Sequence, residues 1–148
     1  SIGKLRFEGY KKALEDNNIS LNSNLIRFMK ENIESYTMEN GYVVTKELLE
    51  SGEDFTAIFA VCDTMAIGAC KAIFDAGKSV PQDYSVVGFD GLDIAKFYNP
   101  SITTIRQPVE EIAKETMKVL FDEIDNNHNP KRITFSGELI IGQSTRPI

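Results

Sequence analysis

The chain has 148 residues, 42% hydrophobic and 26% charged, which suits one domain with a real core and not a disordered or fibrous polymer. A net charge of −6 argues against this segment gripping nucleic acid by itself, since phosphate contacts need a cationic face. There is no apolar run of the length needed to span a membrane, and Cys62 and Cys70 fit neither a metal knuckle nor a secreted disulfide framework, so they read as reduced thiols.

Ser1 is a suitable cap for a first helix running to about residue 17, with Ile2, Leu5, Tyr10, Ala13 and Leu14 at helical spacing. This pattern starts at once, with no initiator methionine or preceding strand, as expected of a piece of a longer protein. Arg6, one turn in, is either a solvated surface charge or a site residue. Asn17-Asn18 marks a loop, 25–29 a short strand, and 32–40 a polar segment containing Tyr36. A second helix over 38–49 ends at Ser51-Gly52 and is expected to bury Tyr42, Val43, Leu48 and Leu49.

The apolar run 58–61 reads as a strand buried on both faces. Asp63 is placed to cap a helix over 64–76, whose Met65, Ile67, Ala69, Cys70, Ile73 and Phe74 are apolar and which Gly77 stops. A second strand over 85–89 ends at Asp90-Gly91. Parallel strands joined by a helix put both carboxyl ends on one rim, where open α/β sheets bind ligands, so Asp63 and Asp90 are expected to face one crevice.

The stretch 91–100 is short helix or irregular, with Phe97 and Tyr98 exposed. Residues 103–107 are β-branched and extended, and Pro108 opens a helix over 109–125 with Ile112, Ala113, Met117, Leu120, Phe121 and Ile124 on one face. A turn at 126–130 holds the single histidine, His128, and two strands close the chain at 132–135 and 138–141. The alternation predicts an α/β fold, a doubly wound and mainly parallel sheet.

His128 in a polar turn gives His-based catalysis no centre, and no nucleophile elbow or phosphate-binding glycine loop follows a strand. Two rim aspartates can serve as an acid–base pair or as acceptors for ligand hydroxyls. Without a nucleophile, metal cluster or phosphate loop, binding is the stronger reading: no enzyme, no catalytic residue, no metal and no cofactor is expected. Asp63 reads mainly as a helix cap, whereas Asp90 has no such structural duty. Cys62 is a small buried apolar residue or a reactive thiol at a helix start.

Several stretches resemble the LacI/GalR family of transcriptional regulators. Phe59-Ala60-Val61-Cys62-Asp63-Thr64-Met65-Ala66-Ile67-Gly68-Ala69 resembles its F-x-x-N-D-x-M-A-x-G-A segment, and Val80-Pro81-Gln82-Asp83-Tyr84-Ser85-Val86-Val87-Gly88-Phe89-Asp90 its V-P-x-D-x-S-V-V-G-F-D. Ile102-Thr103-Thr104-Ile105-Arg106-Gln107-Pro108 is similar to L-T-T-I-x-Q-P, Arg6-Phe7-Glu8-Gly9-Tyr10 to R-x-x-G-F, and Ser144-Thr145-Arg146-Pro147 to the usual ending. The motifs stand in the family's order along nearly the whole chain.

The resemblance implies a type I periplasmic-binding-protein-like effector domain. Residues 1–107 and 138–148 would be its C-terminal subdomain and 108–137 a remnant of the N-terminal one, with the helix-turn-helix outside this chain. It implies effector contacts from Arg6, Tyr36, Cys62, Asp90 and Gln107, Cys62 standing where the family has Asn or Ser. Ala113 replaces a common glycine and Gly142 a common arginine. It further implies a homodimer through Met65, Ala69, Ala72, Ile73, Ala76, Phe97 and Tyr98. The expected function is effector sensing, with a sugar or sugar derivative modulating operator DNA binding by the full-length cytoplasmic protein and no membrane partner. The alternative is a solute-binding protein of a sugar transport system.

Overall fold

The computed structural model describes residues 2–124 and 132–147, so the Ser1 cap, Asp125 and the 126–130 turn with His128 lie outside the described residues. In chain order they form α1 (Ile2–Asp16), a 3₁₀ turn (Ser23–Leu25), α2 (Met38–Glu50), β1 (Ala57–Phe59), α3 (Asp63–Asp75), β2 (Ser85–Asp90), α4 (Asp93–Phe97), β3 (Thr103–Arg106), α5 (Val109–Ile124) and β4 (Glu138–Ile140). The strands lie side by side in the order β1-β2-β3-β4. The first three are parallel, and β4 runs antiparallel to β3.

The pleat sorts side chains between two layers. Val86 is fully buried among Ala66, Ala69, Cys70 and Ile73 of α3, and a Cβ on Gly88 would meet Ala66 at 3.3 Å. Helix α2 lies directly on α3, with backbone against backbone. A Cβ on Gly41 would come within 2.3 Å of the Met65 carbonyl oxygen, and one on Gly68 within 2.0 Å of the Met38 carbonyl oxygen. On the other face α1 brings Tyr10 against Phe59, their rings 6.2 Å apart.

Several expectations are corrected. The inner face of α1 is Gly3, Arg6, Phe7, Tyr10 and Leu14, while Leu5 is 74% exposed and Ala13 also faces out. Residues 25–29 form no strand: Leu25 ends a 3₁₀ turn, and just past the segment the Lys30 backbone is paired by a side chain instead of a ladder. Its N–H donates to Asn40 Oδ1 at 2.9 Å, and its carbonyl accepts from Asn40 Nδ2 at 3.2 Å. Helix α2 buries Asn40, Gly41, Val44, Thr45 and Leu48, and the expected Tyr42, Val43 and Leu49 are only half-buried. β1 is an edge strand, so Phe59 remains 41% exposed instead of covered on both faces.

Residues 132–135 are not a strand either, since no described strand pairs with them. Tyr98 packs half-buried against the core, and only Phe97 of that pair is open, at 80% exposure. Helix α5 has no buried residue. No helix among the described residues is long and apolar enough to cross a membrane.

Candidate functional site

Three side chains meet at the carboxyl ends of the parallel strands. Arg6 reaches across from α1, donating through Nη1 to the Val61 carbonyl just past β1 and through Nη2 to Asp90 Oδ1 at 2.8 Å. Gln107, one residue beyond β3, donates from Nε2 to the same Asp90 oxygen at 2.7 Å, and its backbone N–H meets the Asp90 carbonyl at 3.2 Å. The Arg6 guanidinium lies 3.9 Å above the Phe89 ring centroid, a cation–π seat that fixes its plane. The Arg6 and Asp90 side chains are 12% and 22% exposed, so this is a partly sheltered, charge-assisted pair and not a solvated surface charge.

Asp90 holds a φ of 121°, a backbone conformation rare for a residue with a side chain and concentrated at ligand sites. The next residue, Gly91, has φ 73°, and a Cβ there would lie 2.5 Å from the Cα of Arg106, so only glycine fits. The pleat places Phe89 toward α1. Asp90 departs from that pleat, and its carboxylate turns to the same side.

Tyr36 and Cys62 form a second group beside the first. Tyr36 sits at φ 60°, and its carbonyl accepts from Thr64 Oγ1 and is approached at 3.8 Å by Cys62 Sγ. The Tyr36 hydroxyl lies 3.6 Å from the Cβ position of Gly3, so the ring stands over the first turn of α1, 39% exposed. Cys62 is 4% exposed, with Sγ 3.1 Å from Thr64 Oγ1. The two groups connect through Arg6, whose Nη1 holds the carbonyl of Val61, the residue before Cys62.

Asp63 does not cap α3. Cys62 occupies the N-cap position and makes no side-chain capping bond. Asp63 begins the helix itself, fully buried, with Oδ1 accepting from Thr104 Oγ1 at 2.6 Å and Oδ2 from the Leu92 backbone N–H at 2.8 Å. Burial pushes its carboxyl above the ordinary 3.8, opposed by the Thr104 and Leu92 bonds and aided by the nearby Asp90 charge. The two aspartates therefore do not share a crevice: Asp90 is at the rim, and Asp63 is sealed beneath it. Burial also pushes the Cys70 thiol up to about 12, leaving it inert.

Phe89, Thr64 and Asn40 are participants that sequence reasoning missed. Asn40 is fully buried, and its Nδ2 also reaches the carbonyls of Ile33 and Glu34 at 3.4 Å each, pinning the segment that delivers Tyr36. An asparagine three residues after Thr37, a good helix N-cap, was the available signal.

The small-residue stripe of α3 is occupied within this chain. Met65, Ala66, Ala69, Ala72 and Ile73 are at most 7% exposed, taken up by α2 and the sheet at the distances Gly41 and Gly68 allow. Of the residues expected at a dimer face, Ala76 and Phe97 are exposed and Tyr98 is half-buried. No group of three metal-ligating side chains occurs among the described residues.

Residues 1–145 match the periplasmic binding protein-like domain family. The regulator MalR of Clostridium butyricum is 43% identical over 135 residues, 91% of this chain and 39% of the relative. The regulator AscG of Escherichia coli is 38% identical over 135 residues, again 91% and 39%. Among solved structures, a LacI-family sugar-binding transcriptional regulator from Escherichia coli complexed with phosphate superposes with a TM-score of 0.81 at 38% identity, covering 94% of this chain and 48% of that one. A LacI-family regulator from Enterococcus faecium with bound ribose gives 0.83 at 32% identity, covering 99% and 52%. The chain thus spans about two fifths of the curated relatives' length, 39% for both MalR and AscG. These relatives are transcriptional regulators. The chain belongs to the periplasmic-binding-protein-like domain family, in the form carried by LacI-type transcriptional regulators.

Proposed function

We propose that this chain supplies one wall of the effector site of a LacI-type regulator. The single observation that carries the reading is the convergence of Arg6 and Gln107 on one oxygen of Asp90, at a strained rim position. That arrangement presents fixed donors and acceptors to a small neutral polyhydroxy ligand, with the Tyr36 ring available to stack on an apolar sugar face. Cys62 contributes shape more than polarity, its thiol being turned toward Thr64.

The ligand is a sugar or sugar derivative, in keeping with the ribose-bound regulator from Enterococcus faecium and the CelR–cellobiose complex among the similar structures. Its binding shifts the relative orientation of two subdomains and so alters operator affinity in the full-length, cytoplasmic protein, with a coupling of about 1–3 kcal/mol. Residues 108–137 belong to the opposite subdomain, a reading supported by the absence of any buried residue in α5. The protein works as a homodimer, meeting its partner through exposed residues such as Phe97 and Ala76. It catalyses no reaction. A transport role has less support, because the curated relatives are regulators.

The test uses the full-length protein with D-ribose and cellobiose as first probes, followed by a wider sugar panel. Arg6→Ala and Asp90→Ala should abolish the effector response in an operator-binding assay while operator affinity without effector stays at the parent value. A normal response from both variants overturns the site.

A further inference from the structure

We propose that Asp63 is a positioning residue that holds the Asp90 carboxylate in its binding geometry by locking the peptide turn behind it. The inference rests on the effector-site reading only for its purpose, and its geometry stands without a ligand. The turn Asp90-Gly91-Leu92 has two inward backbone amides, and both end on one buried unit. Leu92 N–H donates to Asp63 Oδ2 at 2.8 Å. Gly91 N–H donates to Thr104 Oγ1 at 3.3 Å, and that hydroxyl donates on to Asp63 Oδ1 at 2.6 Å. The Asp90 carbonyl, on the other side of the same peptide plane, accepts from the Gln107 N–H at 3.2 Å. The peptide after Asp90 is therefore clamped at both its oxygen and its nitrogen.

Such a clamp is what a residue at φ 121° requires, because this backbone persists only where its surroundings over-determine it. Room for the clamp is made in the sequence itself. A Cβ on Gly88 would lie 2.3 Å from Asp63 Oδ1, so a side chain there would evict the carboxylate. The Asp63 carboxylate is 0% exposed and closed to solvent, and the helix it begins takes no capping bond from the residue ahead of it. Thr104 relays the hold from β3, the strand that also delivers Gln107. One buried carboxylate thus sets the turn on which both donors of the rim, Arg6 and Gln107, find their acceptor.

The experiment compares four variants of the isotope-labelled protein by NMR with no ligand added, so its outcome is independent of whether the sugar reading holds. Asp63→Asn leaves one acceptor oxygen for two donors, the Leu92 N–H and the Thr104 hydroxyl, and Thr104→Val removes the relay at nearly constant shape. Both should speed amide exchange at Gly91 and Leu92 about tenfold, the effect of losing one buried hydrogen bond, and shift the Arg6 and Gln107 side-chain N–H signals toward solvent-exposed positions. Thr104→Ser, which keeps the hydroxyl, should restore the parent signals. Val86→Ala loosens the core elsewhere and should leave the Arg6 and Gln107 signals in place. The proposal is overturned if those side-chain signals stay unchanged in Thr104→Val, or if Val86→Ala moves them as far.

Discussion

The rim around Asp90 and the arm formed by α5 with residues 132–137 are built on opposite terms. At the rim nearly every polar atom has a fixed partner: Arg6 has two acceptors and a ring beneath it, Asp90 Oδ1 has two donors, and Asp63 is used at both oxygens. In the arm, α5 buries nothing, and Leu120, Phe121 and Ile124 are 50%, 58% and 63% exposed. A groove of about 370 Å³ opens between Ile112, Thr116 and Val119 of α5 and the Ile133 and Phe135 side chains. One region is determined by this chain's own contacts, while the other carries an apolar pattern that this chain does not satisfy. An amphipathic stripe shows that a helix is meant to be covered, and says nothing about what covers it.

Substitutions can sharpen that contrast. The largest effect is expected at the α2–α3 contact, where Gly68→Ala drives a Cβ into the Met38 carbonyl and should cost about 3 kcal/mol in denaturant unfolding. Next comes Asp90→Gly, which should remove the effector response while changing stability little. The relief of an unfavourable φ, about 1–3 kcal/mol, offsets the lost Arg6 pair. If stability instead falls by several kcal/mol, the rim is a structural keystone and not a binding device.

Asp63→Asn should cost about 1–2 kcal/mol, because its one amide oxygen cannot accept from both the Leu92 N–H and the Thr104 hydroxyl. Because burial raises the Asp63 carboxyl above its ordinary 3.8, its stabilising contribution is complete below that value and is lost as pH rises through the folded-state value. The gap between parent and Asp63→Asn should therefore narrow with rising pH, and a widening gap would contradict the assigned cause. The smallest effect belongs to the arm: Phe121→Ser should change stability by less than about 0.5 kcal/mol, as for other exposed sites. A larger loss would mean that α5 is covered in solution.

What the sequence disclosed follows the same division. The helices α2, α3 and α5 were legible because caps, glycine stops and apolar spacing are local, and β2 because its run is flanked by turn residues. The 25–29 and 132–135 segments were misread because strand propensity only becomes a strand when a partner lies alongside, and local composition cannot report a partner. For Asp63 the error was one position: with Cys62 taking the cap, the carboxylate fell inside the helix and turned to β3. Local spacing also did not disclose that α2 packs onto Ala66, Ala69 and Ala72 of α3, since the close approach depends on Gly41 and Gly68. Arg6, Asp90 and Gln107 were singled out through the family motifs, and the fold brings them together. Their convergence on a single oxygen was not legible, because it depends on the rare backbone angle at Asp90.

The glycine contact between α2 and α3 also sets how the molecule can deform. With two main chains touching at Gly41 and Gly68, neither helix can slide along the other without collision, so the pair behaves as one stiff plank. Tyr36, just ahead of the first turn of α2, and Cys62, at the head of α3, are bolted to the same end of it by the Thr64 hydroxyl. A molecule pressing on the tyrosine would pass its force to both helices at once.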